Sequence, residues 1–385
     1  MTEKKESKKN SKKFAGLSTI GISFFIAQAI YGIFWLSIAP LLGTEGYGEI
    51  SYLIAIANIA STIAFIGAGN TILVYSPKKI NLEAPIFSVT IISAIITSLI
   101  LFILLKNIEI SLFVIGFVIF GLSINELLGK QLYKKYAKYI ISQKVLQVGL
   151  SLIFYFLIGP SGIILGFALS YLVYINRIRI ILKDKKDFSL LRTKFSFMSN
   201  SYLLDLARTF SIYTDKLIVL PLFGFAILGS YQLGIQYLTL LAILPNVVFQ
   251  YVLPHDALGK TNVKLKIMTI IVACILVVIS IISIPLVLPI FFQEFYESII
   301  LIQILSIAII PKTISMMYMS NFLGLEKSKI VAIGSGIYII CQILGIFILG
   351  DLMGIEGIAW ALVIASSIET VFLISMKKLE KHTAN

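Results

Sequence analysis

The segment NSYLLDLARTFSIYTDKLIVLP at positions 200–221 carries Asp205, Arg208, Asp215 and Lys216 in a run otherwise apolar enough to enter a bilayer. On a helix, Asp205, Arg208 and Asp215 follow offsets of three and seven and share a face, with Lys216 about 100° from Asp215. An arginine at the centre of a span costs about 2.5–3.5 kcal/mol on the insertion scale, so such residues mark substrate or ion paths or pair with one another. Arginine meets phosphate in a two-pronged contact, and lysine acts as a compact point charge. Arg208 and Lys216, joined by Lys312 beside Pro311, are therefore candidate binders of an anionic head group. Asp205 and Asp215 either hold these cations when no substrate is present or take a coupling proton or sodium ion. Glu369 is a further coupling candidate. The competing reading is that Asp205 and Arg208 form an i,i+3 pair that only lets the helix insert.

A second polar set, Gln232, Gln236, Thr239, Asn246 and Gln250, recurs at three- and four-residue spacing along one helix face. Ser51, Asn58, Thr62 and Gly69 occupy the equivalent stretch of the first half. These residues either line a wet gap or make helix–helix hydrogen bonds.

The elements that must position these groups are membrane spans. Of the 385 residues, 58% are hydrophobic and only 13% charged, with a mean hydropathy of +0.97. Soluble domains average about 25% charged residues. Twelve apolar runs approach the ~20 residues that a spanning helix needs. They are 14–42, 46–75, 84–105, 108–128, 140–158 and 162–182 in the first half. In the second they are 197–222, 226–253, 265–290, 295–323, 328–349 and 354–376. Counting Lys and Arg in alternate connections gives 27 on one side and Lys106 alone on the other. Basic residues stay cytoplasmic, which places both termini inside the cytoplasmic membrane. The basic tail 1–13, the basic linker 183–196 and the tail 377–385 then lie in the cytoplasm, and the outer loops are short. Lys144 and Glu126 read as snorkelling residues near span ends. Cys274 and Cys341 lie in apolar runs and imply no disulfide.

PLLGTEGYG (40–48) and PLFGFAILG (221–229) both fit P-L-[LF]-G-x4-G, 181 residues apart. Six spans is an even number, so two such halves enter the membrane from the same side. The expected fold is an all-α membrane protein of twelve transmembrane helices in two six-helix lobes, 14–182 and 197–376, related by a pseudo-two-fold axis along the membrane normal. Shifted by 181, the four charges land on Phe24, Ala27, Phe34 and Trp35, so the same helix can be built without them.

TDKLIVLPLFGFAILGSYQLG (214–234), LLGTEGYGEISY (41–52) and GIEGIAWALV (354–363) resemble the MOP exporter superfamily, in its polysaccharide or O-antigen flippase branch. That resemblance implies alternating access between the halves and a polyprenyl-phosphate- or diphosphate-linked glycan as cargo, with membrane lipid and a coupling proton or sodium ion as partners. The related MATE branch, of cation and drug antiporters, commonly carries an acid in the first span, where this chain has only Gln28 as a strongly polar residue. A membrane-embedded glycan transferase and a non-transporting scaffold are further alternatives. The first would need sizeable outer loops, and the second would not need Arg208 at mid-depth.

No G-x4-GK[ST] loop, HExxH, metal-spaced Cys/His set or nucleophile elbow occurs. The expectation is a non-enzyme without cofactor or metal. The basic residues sit in membrane-flanking loops, so no nucleic-acid partner is expected either. Pro245, Pro285, Pro289 and Pro311 fall within or near the ends of second-half spans, and the first half has no comparable set. Bending during a transport cycle is expected to concentrate in the second half, and inward- and outward-trapped states that bend both halves equally would contradict this.

Overall fold

The computed structural model describes residues 2–78, 80–183 and 187–383. Lys79, Lys185 and Lys186, counted above among the basic loop residues, lie outside the described residues. Hydrocarbon offers no hydrogen-bond partners, so each spanning segment must satisfy its own backbone, and the apolar runs are helical. Among the described residues, ten helices are long and apolar enough to cross a membrane. They are Thr19–Phe65, Glu83–Leu105, Ile108–Gly129, Tyr133–Ile158, Ser161–Ile181, Phe195–Leu241, Val263–Phe291, Gln293–Gly324, Ser328–Met353 and Ile355–Glu380.

The two longest, of 47 residues each, turn back on themselves. Trp35 and Tyr47 meet edge to face at 5.6 Å, where twelve residues of straight helix would separate them by about 18 Å. Tyr231 reaches back sixteen positions to bond Asp215 at 2.9 Å. The turns fall at Gly43 (φ 66°, ψ −178°) and Gly224 (φ 81°, ψ 177°), a conformation open essentially to glycine alone. Pro40 and Pro221 each precede their glycine by three residues. Each long helix is thus a hairpin of two spans, and the total is twelve.

Two helix breaks have a common cause. Helices restart after Ala242 and Ala308, each three residues before a proline, Pro245 and Pro311. Proline lacks an amide donor and crowds the carbonyl four residues back. The fifth span differs from the sequence reading. It begins at Tyr133 rather than near 140, because the turn YKKYAK continues the helix.

In the first half the third span packs on the fourth, and the fifth and fourth pack on the sixth. In the second half the eighth, ninth and twelfth pack on the tenth, and the eleventh packs on the twelfth. By contacts the chain divides into two compact units: Met1–Phe34 with Tyr52–Tyr213, and Trp35–Ser51 with Thr214–Asn385. The tip of the first hairpin therefore groups with the second-half helices.

The sequence repeat reappears as a reciprocal backbone crossing inside that second unit. A Cβ on Gly48 would lie 2.0 Å from the Phe225 carbonyl oxygen, and one on Gly229 would lie 1.8 Å from that of Thr44. Both glycines and both carbonyls are 181 residues apart. A second repeat, missed in the sequence, links GPSG (159–162) with GIEG (354–357). There a Cβ on Gly162 would meet the Phe154 carbonyl at 2.2 Å, and one on Gly357 the Leu349 carbonyl at 1.8 Å. The offset has grown to 195 because the ninth and tenth spans, of 29 and 32 residues, exceed the third and fourth, of 23 and 22.

Each half also ties three spans together at its basic end. In the first, Arg177 Nη2 lies 2.6 Å from both oxygens of the fully buried Glu126, and Lys130 lies 2.9 Å from Glu126 and 3.8 Å from Glu83. Ser76 donates to Glu83 at 2.6 Å. Glu126 is thus a buried ion-pair centre, not a snorkelling residue. In the second, Lys266 donates to Asp256, to Asn321 Oδ1 (2.7 Å) and to the Met317 carbonyl (3.2 Å), while Ser320 donates to Asp256.

Gly48→Ala or Gly229→Ala must push a backbone crossing apart and is expected to cost at least the roughly 1–3 kcal/mol of overpacking. Gly149→Ala meets nothing within 4 Å in mid-helix and is expected to be neutral or to stabilise by up to about 1 kcal/mol. Unfolding of the three variants in detergent checks the contrast.

A candidate charged site within the spans

Asp215 and Lys216 lie on the first arm of the second hairpin, nine and eight residues before the Gly224 turn. They are 7% and 6% exposed. Asp215 Oδ1 accepts from the Lys216 ammonium at 3.2 Å and from the Lys216 backbone amide at 2.8 Å, and Oδ2 accepts from the Tyr231 hydroxyl. Gln342 of the eleventh span extends the chain by donating to that hydroxyl at 3.5 Å. In the tenth span Lys312 places its ammonium 5.5 Å from the Tyr338 ring centroid, a cation–π distance, and within electrostatic reach of Asp215, Glu369 and Lys216. Glu369 of the twelfth span is 6% exposed and bonded by Ser335. Its neighbour Thr370 donates to the Pro311 carbonyl at 2.8 Å and meets Ser315 at 2.7 Å, which holds the twelfth span against the proline-broken helix.

The structure therefore gathers four of the candidates, Asp215, Lys216, Lys312 and Glu369, into one unit and one network. Two acids face two bases, so the formal charges of the network balance. At the positions of Asp215, Lys216 and Tyr231, the first hairpin has Phe34, Trp35 and Ile50, all buried.

Asp205 and Arg208 belong to the other unit. Asp205 accepts from Asn70 Nδ2 at 3.2 Å, and Thr209 meets Thr62 at 3.0 Å, so this stripe of the seventh span faces the second. Arg208 is exposed on the flank between that polar stripe and the apolar stripe of Leu203, Leu204 and Phe210. Among the described residues no carboxylate lies within 4.0 Å of its guanidinium. The i,i+3 ion pair with Asp205 is thus not formed. Lys144 also departs from its surface reading, bonding Gln147 at 2.8 Å inside the first-half bundle.

The polar set on the eighth span divides. Gln232 Oε1 is buried without a hydrogen-bond partner, and Gln236 is buried. Thr239 and Asn246 donate to carbonyls of their own helix and are exposed, as is Gln250. Asn58 likewise donates to its own helix, at Ile54. Sequence reasoning missed Tyr231, Gln342, Tyr338 and Ser335. The first was within reach: folding the chain at Gly224 sets positions seven and nine residues away on opposite arms side by side. The others needed the tertiary arrangement.

No protein-family model matches the chain, and no curated protein matches it in sequence. Solved structures do match. The lipid II flippase MurJ, in an inward closed conformation, superposes with a TM-score of 0.77 at 15% identity, over 93% of this chain and 87% of that one. The chain has the fold of the MOP transporter superfamily. A multidrug-resistance MATE transporter of that superfamily, inward-facing, gives 0.66 at 15% identity, over 94% and 95%. A MOP transporter from Pyrococcus furiosus, described as having a binding pocket of reversed polarity, gives 0.59 at 15%, over 95% of each chain. The expected all-α membrane fold, with twelve spans in two lobes, is the one found.

Within this MOP fold, Asp215→Asn is expected to destabilise the protein by roughly 3–5 kcal/mol, because it removes the carboxylate that pairs with a buried lysine near a second one. The double variant Asp215→Asn, Lys216→Met should recover most of that loss. A denaturation double-mutant cycle in detergent measures it, and additive losses would show that pairing is not what stabilises the site.

Proposed function

We propose that the protein is a secondary transporter that flips a lipid-linked oligosaccharide or polysaccharide precursor across the cytoplasmic membrane by alternating access. Both termini and the basic linker then face the cytoplasm. The observation that carries the reading is the balance of charge inside the spans. Away from the span ends, Lys144, Arg208, Lys216 and Lys312 stand against Asp205, Asp215 and Glu369. A site for cationic drugs would call for the opposite excess. A surplus of basic groups, one of them an arginine with no carboxylate within 4.0 Å among the described residues, suits a phosphate or diphosphate head group. A lipid flippase and MATE transporters share this fold, so the choice between them rests on the charge balance.

The physical task is desolvation. Each hydroxyl taken unpaired into hydrocarbon costs on the order of 2–7 kcal/mol, so a sugar head group cannot cross unaided. Polar groups along a cleft replace that lost water while the lipid tail stays in the bilayer. In this reading Arg208, Lys216 and Lys312 meet the anionic head group. Asn58, Gln232, Gln236, Thr239, Asn246 and Gln250 line its path. Asp205, Asp215 and Glu369 balance the cations or carry a coupling proton or sodium ion.

Loss of the gene is expected to leave lipid-linked glycans on the cytoplasmic leaflet without changing drug sensitivity. In proteoliposomes, Arg208→Gln should slow flipping of a fluorescent lipid-linked sugar by about tenfold or more, the scale of one lost charge-assisted contact. Altered drug sensitivity with unchanged glycans would favour the antiporter instead.

A further inference from the structure

The early start of the fifth helix moves Lys144 from a membrane surface into the bundle. It lies eleven residues past Tyr133, about 16 Å along the axis. Its ammonium sits 4.5 Å from the Tyr31 ring centroid and donates to Gln147 Oε1. Gln143 Nε2 donates to that same oxygen and to Ser170 Oγ, both at 3.0 Å. The shell around this cation is built, but it is neutral. Its members are a ring face and an amide oxygen, and among the described residues no carboxylate lies within 4.0 Å.

That sets Lys144 apart from Lys216, Lys266, Arg177, Lys130 and Lys312. Lys216 pairs with Asp215, Lys266 with Asp256, and Arg177 and Lys130 with Glu126. Lys312 is balanced by two carboxylates. Neutral dipoles solvate an ammonium but leave its net charge in place, and in a low-dielectric interior that charge attracts an oxyanion strongly. An ammonium has three N–H donors, of which Gln147 takes one. One hydrogen bond away, Gln143 Oε1 is buried with no donor. An uncompensated cation beside an unused acceptor suits a group that brings both an oxyanion and an O–H.

We propose that Lys144, positioned by Gln147 and Tyr31, is an anion-binding station of the first-half bundle that takes the phosphate or diphosphate of an amphiphilic, hydroxyl-bearing ligand. It deepens the flippase reading and rests on it for the lipid source of that phosphate. It adds a contact on the fifth span, separate from the network of the second half.

The test uses the purified full-length protein in detergent, with farnesyl diphosphate, farnesol and inorganic phosphate as probes. Farnesyl diphosphate should raise the wild-type Tm and farnesol should not. Lys144→Met should weaken diphosphate binding by about tenfold or more, while Lys144→Arg stays within about threefold. Without ligand, Lys144→Met should melt at or above the wild-type temperature, since an uncompensated charge has been removed. A purely structural lysine would give a lower Tm with the ligand shift intact, and that result overturns the station. Equal protection by inorganic phosphate upholds an anion site but assigns it to free phosphate.

Flipping assays on the same preparations separate the two proposals. A wild type that flips, with Lys144→Met binding diphosphate unchanged, removes the station and leaves the flippase reading. A wild type that does not flip but binds diphosphate through Lys144 does the reverse.

Discussion

An ion inside a bilayer-spanning bundle has lost its water, and whatever replaces that water must lie within reach of one side chain. Asp215 meets this constraint fully. One oxygen takes the neighbouring ammonium and its own helix's next amide, and the other takes a tyrosine hydroxyl from the opposite arm of the hairpin. That last bond exists only because the chain reverses at Gly224. The turn, the proline before it and the close crossing at Gly48 and Gly229 therefore stand upstream of the charge chemistry. Without the reversal Tyr231 would sit about 24 Å along the helix from Asp215.

The scaffold does not depend on the charges in return. The first hairpin makes the same turn with Phe34, Trp35 and Ile50 where the second has Asp215, Lys216 and Tyr231, and all three are buried. Two copies of one hairpin, one dry and one ionic, separate folding from function more clearly than either alone. Replacing a buried ion pair by packed apolar groups is often neutral or stabilising. Retaining it in one copy is thus a cost to stability that a binding or coupling task would offset.

Hydropathy made the spans legible because hydrocarbon permits so few structures. The P-L-x-G repeat made the hairpins legible because few residues other than glycine accept the turn. Helical spacing grouped Asp205 with Arg208 and Asp215, whereas the structure sets Asp205 and Thr209 against Asn70 and Thr62 and places Asp215 in the other unit. It could not decide whether Asp205 bonds Arg208 or Asn70, since an i,i+3 offset permits a pair without requiring one. Lys144 was misplaced for a different reason. YKKYAK is too polar to score as a span, yet it continues the fifth helix, so the apolar run understated the helix length. Glu126 was misread because its partner Arg177 lies 51 residues away, beyond any local pattern. The second repeat was hidden by longer ninth and tenth spans, which broke a fixed offset while leaving the backbone crossing intact.

The two halves also handle charge differently, and that difference bears on mechanism. In the unit that holds Thr214–Asn385 each mid-span cation has a carboxylate in reach, so the formal charges of Asp215, Lys216, Lys312 and Glu369 balance. In the other unit Asp205 alone stands against Arg208 and Lys144; it lies within electrostatic reach of Arg208 but forms no ion pair within 4.0 Å with either cation. A neutral network gains little from an incoming anion unless one of its own carboxylates lets go of a lysine. An unpaired cation gains at once. In the proposed flippase, Arg208 and Lys144 would be the cations that gain most from an anionic head group. In that proposal Lys216 or Lys312 would have to leave a carboxylate before it met a phosphate. A carboxylate so released would carry a charge that a coupling proton or sodium ion could neutralise.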